Sequence, residues 1–297
     1  MTVEANAKVN FTLEVFGKRA DGYHALRSVV MPISLSDTLD IEVADDGEIT
    51  SDTGYDDDLC IKAARVLKCV ATAPSPSYGG HDGEGAVVTQ KGATIHVKKR
   101  IPTGGGLGGG SADAAAVLRA LNELWKVGLS REELAEVGAQ VGSDVPALVF
   151  NAPVIMEGRG ERVTPLIRSF EHSEHSNIHL VLVNPGVHSS TKEVYAACVP
   201  RQLDGGNATA RMVDALGSGN PEEIASALMN DLQAPAVKHH PGIADALVSL
   251  RTAGVIGAMM SGSGSSVFGI VRDAAVAEGI SSELNARGYQ AWPVQTL

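Results

Sequence analysis

Pro102-Thr103-Gly104-Gly105-Gly106-Leu107-Gly108-Gly109-Gly110-Ser111-Ala112-Asp113-Ala114-Ala115 is the most informative stretch of the chain. Six of the seven positions from 104 to 110 are glycine, and only Leu107 interrupts them. A backbone without side chains approaches a ligand closely, and the helix that follows presents unpaired N–H groups and the positive end of its dipole. Both features attract a phosphate. Ser111 is predicted as the N-cap of that helix, with Ala114, Val117, Leu118, Leu121, Leu124 and Trp125 recurring at helical spacing on one face. A flexible linker is the plain alternative, but linkers are seldom followed at once by an amphipathic helix. Gly104, Gly106 and Gly109 satisfy G-x-G-x-x-G, a match almost inevitable in so glycine-rich a run, and the chain does not open with the βαβ unit a dinucleotide site needs. The P-loop pattern fails, because Ser111 rather than lysine follows Gly110. Protein-kinase signatures such as H-R-D and D-F-G are absent.

Upstream, every odd position from Val3 to Val15 is apolar and every even one polar, a strand pattern that puts Lys8 and Asn10 on one face. A tight segment, Gly17 to His24, follows with a turn at Asp21-Gly22. Strands are predicted at Leu26 to Ile33, Leu39 to Val43 and Ala93 to Lys98, with a helix over Leu59 to Val70. Residues 73–85, rich in Pro, Ser and Gly, read as a surface loop. Downstream, Ser130 and Glu133 form a capping box for a helix running to Gly142. Gly142-Ser143-Asp144-Val145-Pro146 opens a further short turn or helix. Beyond a soft boundary near residue 155 come a buried strand over Ile178 to Val183, helices at Asn220-Pro221 and Pro241, a strand-turn-strand over Ala258 to Val271, and a last helix and strand.

With 297 residues and 44% apolar composition the chain can bury the core of one large domain or two ordinary ones. A net charge of −11 offers no general field for nucleic acid or anionic lipid, so an anionic ligand must be met by a local site. Cys60, Cys69 and Cys198 give neither a disulfide framework nor a zinc ribbon, which fits a reducing cytoplasm. Thr252 to Val271 is uncharged and as long as a membrane span, but Gly254, Gly257, Gly262 and Gly264 and four serines break it into strand, turn and strand. The first residues carry Glu4 and Lys8 inside the apolar pattern, unlike a signal peptide. The histidine-rich residues 171–179 fit no zinc-protease spacing and read as a loop before a strand, as do His239 and His240 before the helix at Pro241.

Pro102 to Ala115 resembles the phosphate-binding motif of the GHMP kinases, small-molecule kinases named for galactose, homoserine, mevalonate and phosphomevalonate. Ser261-Gly262-Ser263-Gly264-Ser265-Ser266-Val267-Phe268 is similar to the late glycine motif of that family, and Ala7-Lys8-Val9-Asn10 to its first motif. Arg19-Ala20-Asp21-Gly22-Tyr23-His24 and Gly142 to Pro146 resemble, within the family, the branch that phosphorylates 4-diphosphocytidyl-2-C-methyl-D-erythritol. The likeness runs through nearly the whole chain.

The resemblance implies an α+β two-domain fold. An N-terminal domain (1–155), like the second domain of ribosomal protein S5, carries the glycine loop, and a ferredoxin-like domain follows (156–297). It implies ATP-dependent phosphorylation of the 2-hydroxyl of that cytidine-bearing small molecule in the non-mevalonate route to isoprenoid precursors; a homoserine or mevalonate type is the alternative. Pro102 to Ala112 would bind ATP. Asp144 would accept the hydroxyl proton and Lys8 would keep it ionised, Asn10 would bind the methylerythritol part, and Tyr23 and His24 would grip the cytosine. Tyr195, in the segment beginning at Thr191, matches a second aromatic of the substrate site. Asp113 stands where several relatives have asparagine or serine and would repel ATP unless a magnesium ion or basic group intervenes. Magnesium dependence is therefore expected, with Ser111 as a ligand. Lys98, Lys99 and Arg100 are read either as local positive potential or as a solvated strand end. A monomer or homodimer in the cytoplasm, without nucleic-acid or membrane partners, completes the expectation.

Overall fold

The computed structural model describes residues 1–72, 90–166, 177–201 and 207–297. The surface loop expected at 73–85, and residues 171–176 of the histidine-rich stretch, lie outside these. By Cα proximity the chain forms two compact units that interleave in sequence: Met1–Ala7, Ser36–Ile101 and Gly108–Asn151 make one, and Lys8–Leu35, Pro102–Leu107 and Ala152–Leu297 the other.

The alternating segment at the start becomes two strands, β1 (Thr2–Asn10) and β2 (Thr12–Lys18), with a bend at Phe11 between them. The strands expected at Leu26 to Ile33 and Leu39 to Val43 are one 21-residue strand, β3 (His24–Ala44). Pro32 does not break it, and polar Ser34, Ser36 and Asp37 are carried through within the strand. In the first unit the C-terminal half of β3 pairs antiparallel with β5 (Gly92–Lys98), from Thr38↔Lys98 to Ala44↔Gly92, and β5 pairs parallel with β4 (Ile49–Ser51).

Helix α1 (Leu59–Thr72) packs on α2 (Gly109–Leu124), and α3 (Arg131–Gly138) and α4 (Val145–Phe150) complete the unit. The periodicity of α2 predicts one apolar face, yet Ala112 through Leu118 are all buried. Its alanines let neighbouring elements approach closely, and its large residues Leu118, Leu121 and Trp125 fill the core. The capping box of α3 is formed: Glu133 N–H donates to Ser130 Oγ at 3.2 Å, and Ser130 N–H to Glu133 Oε2 at 2.8 Å. That helix stops at Gly138 and continues to Gly142 as turns; Gly138 lets Val145 pack closely against it, since a Cβ there would lie 2.9 Å from Val145 Cγ1.

In the second unit β2 and the N-terminal half of β3 pair antiparallel (Val15↔Leu26), β3 pairs with β6 (Val154–Gly158), and β6 turns back into β7 (Arg162–Pro165). A second, four-stranded antiparallel sheet holds β8 (His179–Asn184), β10 (Gly257–Met260), β11 (Val267–Val271) and β12 (Gln290–Gln295) in the order β10-β11-β8-β12. That order is the split βαβ arrangement of a ferredoxin-like domain. Its helices are α5 (Thr191–Ala197), α6 (Ala208–Ser218), α7 (Pro221–Ala227), α8 (Gln233–His239), α9 (Pro241–Thr252) and α10 (Ala274–Ala286), with β9 (Met229–Asn230) laid parallel to β2. His239 closes α8 and is not the loop residue expected. Val181, Val183, Leu247, Leu250, Met260 and Leu284 are among the residues of the core these elements share.

Candidate active site

From Asn6 to Glu14 the polar face of the first strands is not solvated. Lys8 (4% exposed), Asn10, Thr12 and Glu14 are all buried, so the alternation separates an apolar interior from a buried polar network. Lys8 Nζ donates to Asn10 Oδ1 at 2.7 Å, and Asn10 Nδ2 to Ser28 Oγ at 2.7 Å. The ammonium therefore sits at a fixed place on the strand, since moving it would strand a buried amide. The backbone N–H of Lys8 also donates to Leu107 O at 3.0 Å, which ties the strand to the middle of the glycine segment. Leu107 is 1% exposed and anchors that segment in the interior while its glycine neighbours carry the backbone.

The late glycine turn grips the first one. Ser266 N–H donates to Gly105 O at 3.0 Å, and Ser261 Oγ to Gly106 O at 3.0 Å. Gly106 has φ +74° and its Cβ would stand 2.3 Å from Ser261 O, so glycine is required there on both counts. A Cβ on Gly262 would lie 3.2 Å from Lys8 Nζ, which places the ammonium against this turn. Asn230 Nδ2 holds the carbonyls of Met260 and Gly262, each at 2.8 Å, and thereby sets the turn's course. Thr191 and Ser263 hydroxyls are hydrogen-bonded at 2.8 Å.

On the same unit, Tyr23 is 53% exposed, and the rings of His24 and Tyr195 are stacked with centroids 5.6 Å apart. Two of the three rings expected at a substrate base are thus brought together, and the third presents itself to solvent.

In the other unit, α2 starts two residues before the expected cap. Gly108, at φ +70°, occupies the N-cap position, and no side chain caps the helix. Ser111 lies inside the first turn instead, half-buried. The left-handed turn at Gly108 brings the chain into the helix early, and leaves first-turn N–H groups without a side-chain acceptor.

Asp113 is 3% exposed, and its charge is met by the basic group foreseen as one of two possibilities. Lys99 Nζ donates to Asp113 Oδ2 at 2.6 Å and also to Asp37, which is fully buried and accepts the backbone N–H of Ile101 at 2.8 Å. Lys98 and Arg100 are exposed, so the basic run divides into one half-buried cation and two solvated ones. Burial pushes the Asp113 carboxyl up to about 7 against the opposing pull of Lys99, while the two carboxylates raise Lys99 above the usual lysine range despite its own burial. Asp113 Oδ1 has no hydrogen-bond partner.

Asp144 occupies the N-cap position of α4, half-buried, and its side chain makes no capping hydrogen bond. The plain reading of this aspartate as a helix cap is thereby removed. Lys62 Nζ donates to Val141 O at 2.8 Å and steadies the turn that leads to it. Asp37 and Asn230 escaped the sequence reading because each acts through elements remote in sequence. The glycine motifs beside them were the only signal.

Two family models match: GHMP kinases N terminal domain over residues 62–152, and GHMP kinases C terminal over residues 212–290. The 4-diphosphocytidyl-2-C-methyl-D-erythritol kinase of Symbiobacterium thermophilum is 37% identical over 308 residues, covering all of both chains. The protein of the same name from Pelotomaculum thermopropionicum is 39% identical over 304 residues, covering 100% of this chain and 98% of the other. A crystal structure of 4-(cytidine 5'-diphospho)-2C-methyl-D-erythritol kinase superposes with a TM-score of 0.79 at 31% identity, over 100% of this chain and 99% of that one.

Proposed function

This chain belongs to the GHMP kinase family, and from that premise we propose that it transfers the γ-phosphoryl group of ATP to the 2-hydroxyl of 4-diphosphocytidyl-2-C-methyl-D-erythritol. The observation that carries the reading is the joint held by Lys8: its backbone fixes Leu107 in the glycine segment while its ammonium lies against Gly262. The two glycine motifs and the cation of the first motif are one construction. Bare amides from Gly104 to Gly110 suit the triphosphate, and no side chain competes for the first turn of α2.

The division of labour is part of the proposal. An alcohol is a poor nucleophile, so Asp144 accepts the proton of the 2-hydroxyl as its oxygen forms the new bond to phosphorus and the bond to ADP breaks. The ammonium of Lys8 supplies fixed positive charge for an ionised carboxylate and for the developing phosphoryl charge. Asn10 holds the polyol, Tyr23 and His24 hold the cytosine, and Thr191 and Tyr195 complete the substrate side. The domain division at residue 155 belongs to the same reading, and the two family models fall on either side of it.

Among the described residues no three His, Cys, Asp or Glu side chains group as a metal site. Magnesium suits such a place, because it takes one or two protein ligands and fills its octahedron with water and phosphate oxygens. The half-buried Ser111 hydroxyl would hold it, and Asp113, engaged by Lys99, would not. Bound there, the ion would neutralise charge on the phosphates. Among the described residues no helix is long and apolar enough to cross a membrane. The same reading places the enzyme in the cytoplasm as a monomer or homodimer, and the net charge of −11 favours no nucleic-acid partner.

Incubation with ATP, magnesium and each alcohol in turn tests the reading. Turnover of the cytidine compound is expected, and turnover of homoserine or mevalonate without it would overturn the substrate. Asp144→Asn is expected to lower kcat by roughly 10² to 10⁴ with little change in either KM, the range of a positioned general base; an unchanged kcat would remove the aspartate from that role.

A further inference from the structure

Arg159-Gly160-Glu161, following Gly158 at the end of β6, is the turn between β6 and β7, and it is built against the segment that carries Tyr23. Gly158 and Gly160 both have positive φ, +77° and +123°. Glu161 receives the Arg159 backbone N–H on Oε2 at 2.6 Å and the Arg19 guanidinium on Oε1 at 3.1 Å. Arg19 in turn pairs with Asp21, whose other oxygen accepts the Tyr23 N–H at 3.1 Å, and the Arg19 N–H closes on Tyr23 O at 2.7 Å. Two turns remote in sequence are thus held as one piece by Glu161 and Arg19.

From that piece the Arg159 side chain extends over the Tyr23 ring, with its Cζ 5.7 Å from the ring centroid. That distance is within the range of a cation–π contact. Glu157 and Glu161 are the acids nearest in sequence; the first is paired with Arg27, the second is engaged by Arg19 and by the turn backbone, and no carboxylate among the described residues is ion-paired with Arg159. The guanidinium therefore has the ring face as its partner.

We propose that Arg159 is a positioning residue for the substrate's pyrimidine, acting through Tyr23. An exposed tyrosine left alone samples several rotamers, and ordering it on binding costs affinity. A planar cation laid on one face holds the ring in place, covers that face and leaves the other for the base. The inference rests on the proposed cytidine-bearing substrate and deepens it, because the base is what the held ring receives.

Steady-state kinetics on the full-length enzyme test it, with wild type, Arg159→Gln, Arg159→Lys, Tyr23→Leu and the Tyr23→Leu/Arg159→Gln double variant. Arg159→Gln is expected to raise the KM for the cytidine substrate roughly threefold to tenfold, the size of an exposed to partly desolvated cation–π contact, with kcat and the KM for ATP unchanged. Arg159→Lys, which keeps a cation, should recover most of the loss. In the Tyr23→Leu background Arg159→Gln should add nothing. An unchanged KM, an equal penalty with and without the tyrosine ring, or a parallel loss of ATP affinity would each overturn the proposal. Should wild type itself fail to phosphorylate the cytidine compound, the substrate reading falls and takes this inference with it. That outcome shows in the unmutated enzyme, whereas failure of the inference alone shows only in the variants.

Discussion

Asp113 carries an electrostatic cost that the chain offsets only in part. Its carboxyl is buried in the helix that follows the glycine segment, one oxygen on Lys99 and the other without a partner. Burial, with the neighbouring Asp37 carboxylate adding to it, raises its proton affinity against the pull of Lys99, to a value of about 7 against 3.8 in the unfolded chain. An acid whose folded pKa is raised contributes no penalty below the unfolded value, and an increasing one as pH climbs through the window from about 4 to 7, where only the unfolded chain has released the proton. The raised affinity of Lys99 acts in the opposite sense, but its stabilisation is lost only above the ordinary lysine range, outside that window. Wild type should therefore lose stability relative to Asp113→Asn between pH 4 and 7, by on the order of a few kcal/mol. Urea denaturation of both proteins at intervals of pH measures the difference; a difference independent of pH would show that Lys99 fully compensates the burial. The sequence posed the question of what neutralises Asp113 and left magnesium and a basic group both open. Asp37, which holds Lys99 in place, could not be read, because a polar residue in the middle of a strand gives no sign of which loop it will meet.

At the scale of elements, the start of α6 shows how a strand residue can stabilise a helix remote in sequence. Glu14, fully buried on β2, accepts the N–H groups of Ala208 at 3.1 Å and Thr209 at 3.2 Å and the Thr209 hydroxyl at 2.8 Å, while Asn207 caps the same helix through Ala210. The carboxylate sits where the helix dipole favours negative charge and satisfies donors that the helix itself cannot. Glu14→Gln keeps the shape but loses the charge and turns one acceptor into a donor facing N–H groups. It should destabilise by about 2 to 3 kcal/mol, as for hydrogen bonds to a buried charged group, read as a lower urea midpoint with unchanged slope. A loss below about 0.5 kcal/mol would mean that Asn207 alone suffices. The alternation from Val3 to Val15 makes Glu14 legible as a strand residue on the polar face, but alternation cannot tell a solvated face from a buried polar one. Caps written in local sequence were legible: Ser130 with Glu133, and Asn220 before Pro221, lie where expected. Ser111 failed as a cap because a left-handed glycine just upstream began the helix first.

For the molecule as a whole, local patterns gave most elements and the order of the motifs, while sheet order and the interleaving of the two units depend on pairings distant in sequence, such as Val183 with Val267. The candidate site was legible in part for the same reason the fold was: glycine runs and the Lys8 strand announce their conformations locally, whereas Asn230 and Arg159 act only through what folding brings beside them. One thermodynamic consequence follows for the full chain. A nucleotide bound only by the folded glycine segment stabilises the protein by mass action, about 2.7 kcal/mol at a hundredfold excess over its Kd. For domains of this size that is an upward shift of roughly 5 to 10 °C in the unfolding midpoint with ATP and magnesium. Gly106→Ala separates this site from any other. Its new methyl would meet Ser261 O at 2.3 Å in a backbone conformation at φ +74° that alanine avoids, so the grip between the two glycine turns opens. Its unliganded midpoint should fall, and its ATP-induced shift should shrink to about 1 °C at the same nucleotide concentration, since a hundredfold weaker site is only half occupied there and stabilises by about 0.4 kcal/mol. If the variant kept the full shift from its lower baseline, the stabilising nucleotide would be bound away from the segment 102–112, and the glycine run would be a structural hinge with no part in phosphate binding.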